Sequence, residues 1–430
     1  MIPDISDFEN FSQTQLDALI SLHERFLQGR LGGRRATLKR VDLSGLSLHK
    51  RDMRQADFSG CLMRGMNLSE SSFQEATLYA CDLSGSNISN ANFLRADLRG
   101  ARIEQTNLTG TDLDRADFRA GSLGTQGNFM PPTIVSFKGA NLSGARMVGA
   151  MASHADFSDA IMAGINLTQA DMRGANFTNT DLTGATVTGV QMQGAELNQT
   201  IFAGVNISAI RDMGIDFSRA VTDQNIGISI LKLDTPLPTL IETHRLWISS
   251  AGDRGEQLNL SGYDMRELKS LKQEKLTAIK ARGTKFFGMN LFQVQLQSAQ
   301  LDGSDFRRAD CEQADFRGST LAQTNFSHAR LRDANFSSLM LGGGAASKFS
   351  PCDLTQAEFK YADLQGANFK NAKLIEADFS YADLRDADFT GADLTTAILT
   401  GAVMDGTVWT NAIMPETTSG SAFSLVSLKD

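Results

Sequence analysis

The chain has few of the residues on which extracellular frameworks, membrane anchors and polyanion-binding domains depend. Its 430 residues include only four cysteines, too few for a disulfide framework at this length. No stretch approaches the roughly 18 apolar residues that a membrane helix needs, so we expect no membrane span. The net charge is −8 and the cations are spread along the chain, so we expect no direct binding of nucleic acid.

Recognisable catalytic motifs are also lacking. There is no glycine-rich phosphate loop, HExxH, CxxC or nucleophile elbow. The aspartates recur singly and without the ligand spacing of a calcium loop. We therefore expect no catalytic site, no cofactor and no metal. An enzyme would have to use the functional groups of the segment 220–256, where no motif supports one: Asp234, Glu242, His244, Asp253 and Glu256.

The first eleven residues, MIPDISDFENF, lack a charged start followed by an apolar run. They do not have the pattern of a secretory signal. We therefore expect a cytoplasmic protein, although export by a signal that composition does not reveal stays open.

What the chain has instead is a period of five residues. Between Ala357 and Gly391 every fifth residue is Phe or Leu, the residue two before it is always Ala, and a polar residue stands between them. This period fits neither the helical 3.6 nor the strand period of two. A fixed short period indicates a repeat architecture.

These residues resemble the A(D/N)LXX pattern of the pentapeptide-repeat family. The resemblance implies an all-β solenoid, a right-handed quadrilateral parallel β-helix with 20 residues in each four-sided coil, and a bacterial source. The central Phe or Leu and the small residue two positions before it would face inward. The other three residues would face outward. Coils would stack at about 4.8 Å, the parallel-strand spacing.

The central residues predict a core in which large and smaller side chains alternate around each layer, which fills a narrow interior without strain. Cys61 and Cys81 fall at the small inward position of adjacent coils. We interpret them as substitutes for Ala, although their spacing would permit a disulfide. The predicted core ladder consists of Phe306, Phe316, Phe326, Phe336, Phe359, Phe369, Phe379 and Phe389.

The repeats fall into two modules that look duplicated. Both begin with a helical pattern that contains Leu-Ile, a His and an aromatic residue three positions later, and both are interrupted at about the fourth coil. We predict a cap at 1–35, a first β-helix at 36–219, a linker with a second cap at 220–255, a second β-helix at 256–414 and a flexible tail at 415–430. The second cap predicts that the rod is bent or offset, not continuous.

The two caps are predicted as helices over 7–28 and 239–250. Each helix carries a histidine and an aromatic residue at equivalent positions. We interpret these residues as anchors that dock the helix on the open first coil. They are His23 and Phe26, and His244 and Trp247.

Two segments break the repeat and are predicted to be loops, 124–136 and 342–351. Loops on a rigid scaffold commonly carry recognition, so they are the candidate partner-binding segments. The residues singled out in them are Phe129, Pro131, Pro132 and Lys348.

Charge is distributed unevenly, with cations in excess over 34–54 and acids in excess over 353–405. The second block predicts an acidic face that could orient a partner. The residues proposed for it are Asp378, Asp383, Asp386, Asp388 and Asp393.

We expect a non-catalytic scaffold that binds a protein partner through rigid faces and protruding loops. The family resemblance also implies an alternative, a DNA mimic that binds DNA gyrase and protects it from quinolones or inhibits it. A bacterial effector or targeting protein is a further alternative. The partner and the oligomeric state are left open.

Overall fold

Backbone pairing along the chain joins residues that are 20 positions apart. The computed structural model describes residues 9–122, 132–211, 214–341 and 348–415. Parallel bridges join Asp57 to Thr77 and Thr77 to Asp97, and the same relation recurs at every fifth residue. Each 20-residue coil therefore has four sides, and a single bridge on each side holds it to the next coil. The result is a β-solenoid with few extended strands.

Hydrogen bonds connect each side to the coils before and after it. The Thr77 N–H donates to the Ala56 carbonyl at 2.9 Å, and the Phe58 N–H donates to the Thr77 carbonyl at 2.8 Å. Thr77 is an outward residue and Phe58 a central one, so the N–H groups of both kinds of residue are used. The hydrogen-bonding groups of the backbone are therefore satisfied between neighbouring coils.

The inward side chains form stacked columns. Phe326 lies between Phe306 and Phe359, with ring centroids 4.9 and 5.1 Å away and nearly parallel planes. It meets the opposite column edge-on, with Phe336 at 5.7 Å. The residues of the predicted ladder are all fully buried. Cys61 and Cys81 are also buried, and both are free thiols.

The chain folds into two compact units, Met1–Asn225 and Ile226–Asp430. In the first unit, strand β1 (Glu9–Asn10) pairs in parallel with β2 (Val41–Asp42). Helix α1 (Gln13–Leu27) connects them along the chain. A short helix, α2 (Ser208–Arg211), follows near the end of the unit.

The second unit repeats the arrangement at its start. Strand β3 (Ile228–Ser229) pairs in parallel with β4 (Tyr263–Asp264). Helix α3 (Leu237–Ser249) connects them along the chain. Two 3₁₀ turns, Ile230–Lys232 and Arg266–Leu268, flank this cap. An antiparallel pair, β5 (Leu339–Leu341) with β6 (Lys348–Ser350), interrupts the coils later.

The helices begin at places that differ from the predicted ones. Helix α1 begins at Gln13, not at residue 7, because Ser12 caps it: the Ser12 and Gln15 side chains each accept from the other residue's N–H in a capping box. Helix α3 begins at Leu237, two residues before the predicted Thr239. Proline is tolerated in the first turn, so Pro238 does not delay the start.

The end of the first unit also differs from the prediction. The repeat pattern was expected to stop before residue 220, but Ile201 still pairs with Val221 across one coil. Within that coil α2 replaces a regular side. Phe217 packs edge-on against Phe202, with ring centroids 5.4 Å apart.

Candidate functional site

Within the described coils, each unit has a place where the coil register jumps by more than ten residues. Arg102 pairs with Ser136 and Thr320 pairs with Asp353, separations of 34 and 33 residues where 20 is the rule. Both units therefore carry an insertion that leaves the solenoid and returns to it without disturbing the stack. These insertions are the main departures from repeat geometry within the described coils, and they form the candidate functional site.

The insertion of the second unit leaves and returns as an antiparallel hairpin, β5–β6. Met340 is directly opposite Phe349, and Leu341 is opposite Lys348. The Met340 and Phe349 side chains are 58 % and 62 % exposed. Directly opposed residues of an antiparallel pair lie close enough to form one surface. The hairpin thus presents a pair of apolar side chains to solvent.

A glycine on the preceding coil supports the root of this hairpin. A Cβ at Gly318 would lie only 2.7 Å from the Leu339 Cβ and 3.4 Å from the Ser350 carbonyl oxygen. The root of the hairpin therefore occupies the space in which any other residue at 318 would need its side chain. This close packing fixes where β5 and β6 leave the solenoid.

The insertion of the first unit has a similar root. Gly121 and Thr133 form an antiparallel bridge, with N–H to O distances of 3.0 and 2.6 Å. A Cβ at Gly100 would lie 3.0 Å from the Gly121 Cα. The Tyr79 hydroxyl donates to the Ser122 carbonyl at 2.9 Å and accepts from its N–H at 2.7 Å. The root of each insertion therefore packs against a glycine of the solenoid. The first is also held by two hydrogen bonds with Tyr79.

The predicted loop boundaries were wrong at both returns to the solenoid. Val135 is buried and Ser136 already pairs with Arg102, so the first insertion ends before residue 135. In the second unit, residues 348–350 form a strand and not a loop. The Pro-rich and Gly-rich compositions do exclude parallel ladder pairing, but they leave a short antiparallel pairing open.

The predicted loop residues have different outcomes. Phe129 and Pro131 lie outside the described residues. Pro132 is exposed, and the Lys348 backbone pairs with Leu341 in the hairpin. Met340 and Phe349 were not singled out from the sequence. The pair could have been found by asking which apolar residues lie outside the five-residue register on either side of the glycine run.

The histidines of the two caps have the same bonding pattern. His23 Nδ1 accepts from the Ala36 N–H at 3.0 Å, and its Nε2 donates to the Arg54 carbonyl at 3.1 Å. His244 Nδ1 accepts from the Leu258 N–H at 3.1 Å, and its Nε2 donates to the Thr277 carbonyl at 3.0 Å. Each ring therefore joins its cap helix to the start of the first coil and to a later turn.

Burial and this bonding geometry favour the neutral form of both cap histidines. Their side chains are fully buried, and desolvation lowers the pKa of His23 and of His244 below the usual 6.5. An aromatic ring covers each of them, with ring centroids 5.8 Å apart for His23 and Phe26 and 5.7 Å apart for His244 and Trp247. Both ring nitrogens of each cap histidine are thus bonded to backbone groups outside its own helix.

The predicted single acidic face does not form. Four of its members are five residues apart, and each bridges a different residue of the next coil, which places them on four successive sides. A period of five moves once around the solenoid in 20 residues, so a block of acids in sequence becomes a ring. These four are Asp378, Asp383, Asp388 and Asp393. Asp386 lies at a corner, where its φ is +58°.

Cations also neutralise part of this ring. The Lys370 Nζ lies 2.9 Å from Asp388, and the Arg385 guanidinium lies 2.5 Å from Asp383 and lowers the pKa of that carboxyl by hydrogen bonding. The Lys360 Nζ lies 3.5 Å from Asp378. The same Asp-X-Arg pairing recurs elsewhere in the solenoid, for example between Asp171 and Arg173.

Membrane-spanning and metal-binding features were sought only within residues 9–122, 132–211, 214–341 and 348–415. No helix there combines the length and the apolar character that crossing a bilayer requires. In the same ranges, no three His, Cys, Asp or Glu side chains are grouped so that they could hold a metal ion.

Models of repeat families match both units. The model described as pentapeptide repeats matches eight copies over 135–169, 160–199, 309–343, 352–391 and 387–417. A second model, described as a pentapeptide repeat region, matches 34–108 and 51–126. Together these matches cover more than half of the 430 residues. The chain belongs to the pentapeptide-repeat family. None of the curated proteins compared with it matches.

Several solved structures are similar to this chain. QnrB1, a plasmid-mediated fluoroquinolone resistance protein, is 17 % identical, with 44 % of this chain and 90 % of that one covered and a TM-score of 0.27. HetL, which is involved in heterocyst differentiation regulation in a Nostoc cyanobacterium, is 18 % identical, with coverages of 92 % and 96 % and a TM-score of 0.12.

A pentapeptide repeat protein from the Arabidopsis thaliana thylakoid lumen is 26 % identical, with 33 % of this chain and 68 % of that one covered and a TM-score of 0.09. The TM-scores of all three structures are low. The superpositions therefore carry no argument about the arrangement or the function of this chain.

Proposed function

We propose that the protein is a non-catalytic scaffold that binds a protein partner through the β5–β6 hairpin of its second unit. Each unit would be a right-handed quadrilateral β-helix closed at its amino-terminal end by a helical cap. The observation that carries the proposal is the exposed cross-strand pair of Met340 and Phe349.

Three features of the hairpin suit recognition. Aromatic residues and methionine are enriched at protein interfaces, and a hairpin rooted on a packed solenoid presents them with little ordering cost. The strands are fixed at their root by the contact between Gly318 and Leu339. The flexible thioether of Met340 could adapt to a partner surface.

The insertion of the first unit is a second contact in this proposal. Its described part exposes Pro132, and Ile134 beside it is 50 % exposed. Each unit would then offer one contact of its own to a partner.

The gyrase-binding alternative receives less support from the described residues. A DNA mimic needs a continuous acidic face, whereas Asp378, Asp383 and Asp388 lie on three different sides and each has a cation within 3.5 Å. The same capture experiment tests this alternative, since gyrase subunits would be recovered.

The experiment is affinity capture from an extract of the source cells, with bound proteins identified by mass spectrometry. We expect a reproducible partner for the full chain and its loss for the double variant Met340→Ser/Phe349→Ser. The matched control is Ile398→Ser/Val408→Ser, which removes apolar side chains that are 46 % and 41 % exposed but lie outside the hairpin. Equal capture by the hairpin variant would overturn the proposal.

A further inference from the structure

The segment that follows helix α1 carries an unusual concentration of positive charge. Residues 25–40 contain no Asp or Glu, although the whole chain has a net charge of −8. All of the cations in this segment are exposed. They are Arg25, Arg30, Arg34, Arg35, Lys39 and Arg40.

The loop between α1 and the first coil has a defined backbone. The Arg30 N–H donates to the Arg25 carbonyl at 2.9 Å, and the Arg34 N–H donates to the Leu22 carbonyl at 3.0 Å. Gly33 lies against the helix so closely that a Cβ there would be 2.4 Å from the Phe26 nitrogen. The loop is therefore folded back along the helix and held there.

At the apex of this loop the Leu31 side chain is 100 % exposed. Leu22 and Phe26, one helical turn apart on α1, are 36 % and 37 % exposed. The bond from Arg34 to Leu22 brings the loop alongside these two residues. We name Leu22, Arg25, Phe26, Arg30, Leu31 and Arg34 the cap-loop patch.

The second cap shows that the cap architecture does not require this composition. Gly255 has the role of Gly33, since a Cβ there would be 2.2 Å from the Thr243 carbonyl oxygen and 2.8 Å from the Trp247 nitrogen. Two residues before it, where the first cap has Leu31, the chain has Asp253. Directly after it, where the first cap has Arg34, it has Glu256.

The arginines of the patch also differ from most arginines of the solenoid in their charge partners. Elsewhere an arginine commonly forms an ion pair with the aspartate two residues earlier, as Arg99 does with Asp97 at 2.8 Å. Among the residues that the structure describes, Arg25, Arg30 and Arg34 have no salt bridge. Their charges are available to an external anion.

We propose that the cap-loop patch binds the surface of an anionic lipid bilayer, with Leu31 inserted among the lipids and the arginines at the headgroups. A bilayer accepts an apolar knob without a preformed pocket and offers negative charge on every side of it. A nucleic acid would satisfy the arginines but gives no role to a wholly exposed leucine. The proposal does not depend on the hairpin or on the scaffold function.

An acidic protein partner is the competing occupant. It would need a pocket that fits Leu31 with acids spread around its rim. The patch is a loop packed along helix α1, with an exposed leucine flanked by charges, and not a shaped groove. A continuous anionic surface requires no such match, so the bilayer is the occupant that the geometry favours.

The test is co-sedimentation of the full chain with phosphatidylcholine vesicles and with equimolar phosphatidylcholine–phosphatidylglycerol vesicles, at low and high salt. We expect binding to the anionic vesicles only, weakened by salt. Each Arg→Gln change in the patch should lower the affinity about fivefold, and Leu31→Asp should lower it about tenfold or more. Unchanged melting curves would show that the variants are folded.

The matched controls are Asp253→Asn and Arg254→Gln in the second cap, which should leave vesicle binding unchanged. Binding that is equally strong to duplex DNA and insensitive to Leu31→Asp would overturn the proposal, because it would show general attraction to polyanions. A chain that sediments with neither kind of vesicle would overturn it as well.

Discussion

At the scale of single residues, the corner of each coil makes the strictest demand on the backbone. The second of the two turn residues has a positive φ at most of the described corners. Glycine adopts it freely, but Gln55, Glu70 and Arg95 adopt it too, with φ of 62°, 58° and 56°. An L residue gives up about 1–2 kcal/mol in this conformation. Glycine is therefore favoured at corners but becomes necessary only where a neighbour fills the space of a Cβ.

Gly318 and Gly283 separate these two effects, because both have φ of +65° and only Gly318 has an obstructed Cβ position. We expect Gly283→Ala to lower the free energy of unfolding by about 1 kcal/mol, the cost of the left-handed conformation alone. Gly318→Ala should cost a further 1–3 kcal/mol or so, because Leu339 must move. Urea unfolding measures both. Equal losses at the two sites would show that the hairpin root is not packed as described.

At the scale of elements, the two caps are attached to their coils in the same way. In our proposal each helix covers the apolar end of a solenoid. Each is joined to the coils by a buried histidine that uses both ring nitrogens. Protonation would remove the Nδ1 acceptor and leave a backbone N–H without its partner. The depressed pKa of each ring has the same origin, since burial disfavours the charged form.

The sign of the pH effect follows from that shift. A histidine whose pKa is lower in the folded state binds its proton more readily when unfolded, so the cap is stabilised fully above the unfolded pKa of about 6.5. The stabilisation declines as the pH falls below that value. We expect Trp247 fluorescence to report release of the second cap in a Trp409→Phe background. His244→Asn, which retains an acceptor but does not titrate, should abolish this transition. An unchanged transition would assign it to other groups.

The repeat sequence predicts regular elements well and irregular ones poorly, for a physical reason. The period of five places Phe316 and Phe336 one coil apart, and their rings stack at 4.8 Å. It also locates both insertions, because they break the period. The pairing inside an insertion is not periodic. The sequence can therefore indicate Met340 and Phe349 as apolar residues outside the register, but not that they lie directly opposite each other. The prediction of an acidic face was wrong because acids that are close in sequence lie on different sides of the solenoid.

At the scale of the whole molecule, the buried apolar side chains of the described residues form two clusters. One runs from Leu16 to Ala220 and the other from Ile230 to Leu399. In a solenoid each coil is stabilised chiefly by its neighbours, so we propose that each unit unfolds in a transition of its own. The placement of tryptophan offers a way to observe one unit selectively, because Trp247 and Trp409 both lie in the second unit.

Matched core substitutions in the two units test this proposal. Phe157 lies between Phe137 and Phe177, at 4.6 and 5.1 Å, and Phe326 has equivalent neighbours in the second unit. Truncation of either to Ala should cost about 3–5 kcal/mol. We expect Phe326→Ala to shift the urea midpoint of tryptophan fluorescence, whereas Phe157→Ala should shift only the transition seen by far-ultraviolet circular dichroism. Phe349→Ala, which truncates an exposed ring, should shift neither. A fluorescence midpoint that moves equally for Phe157→Ala would mean that the two units unfold as one, because a change in one core would then be felt in the other.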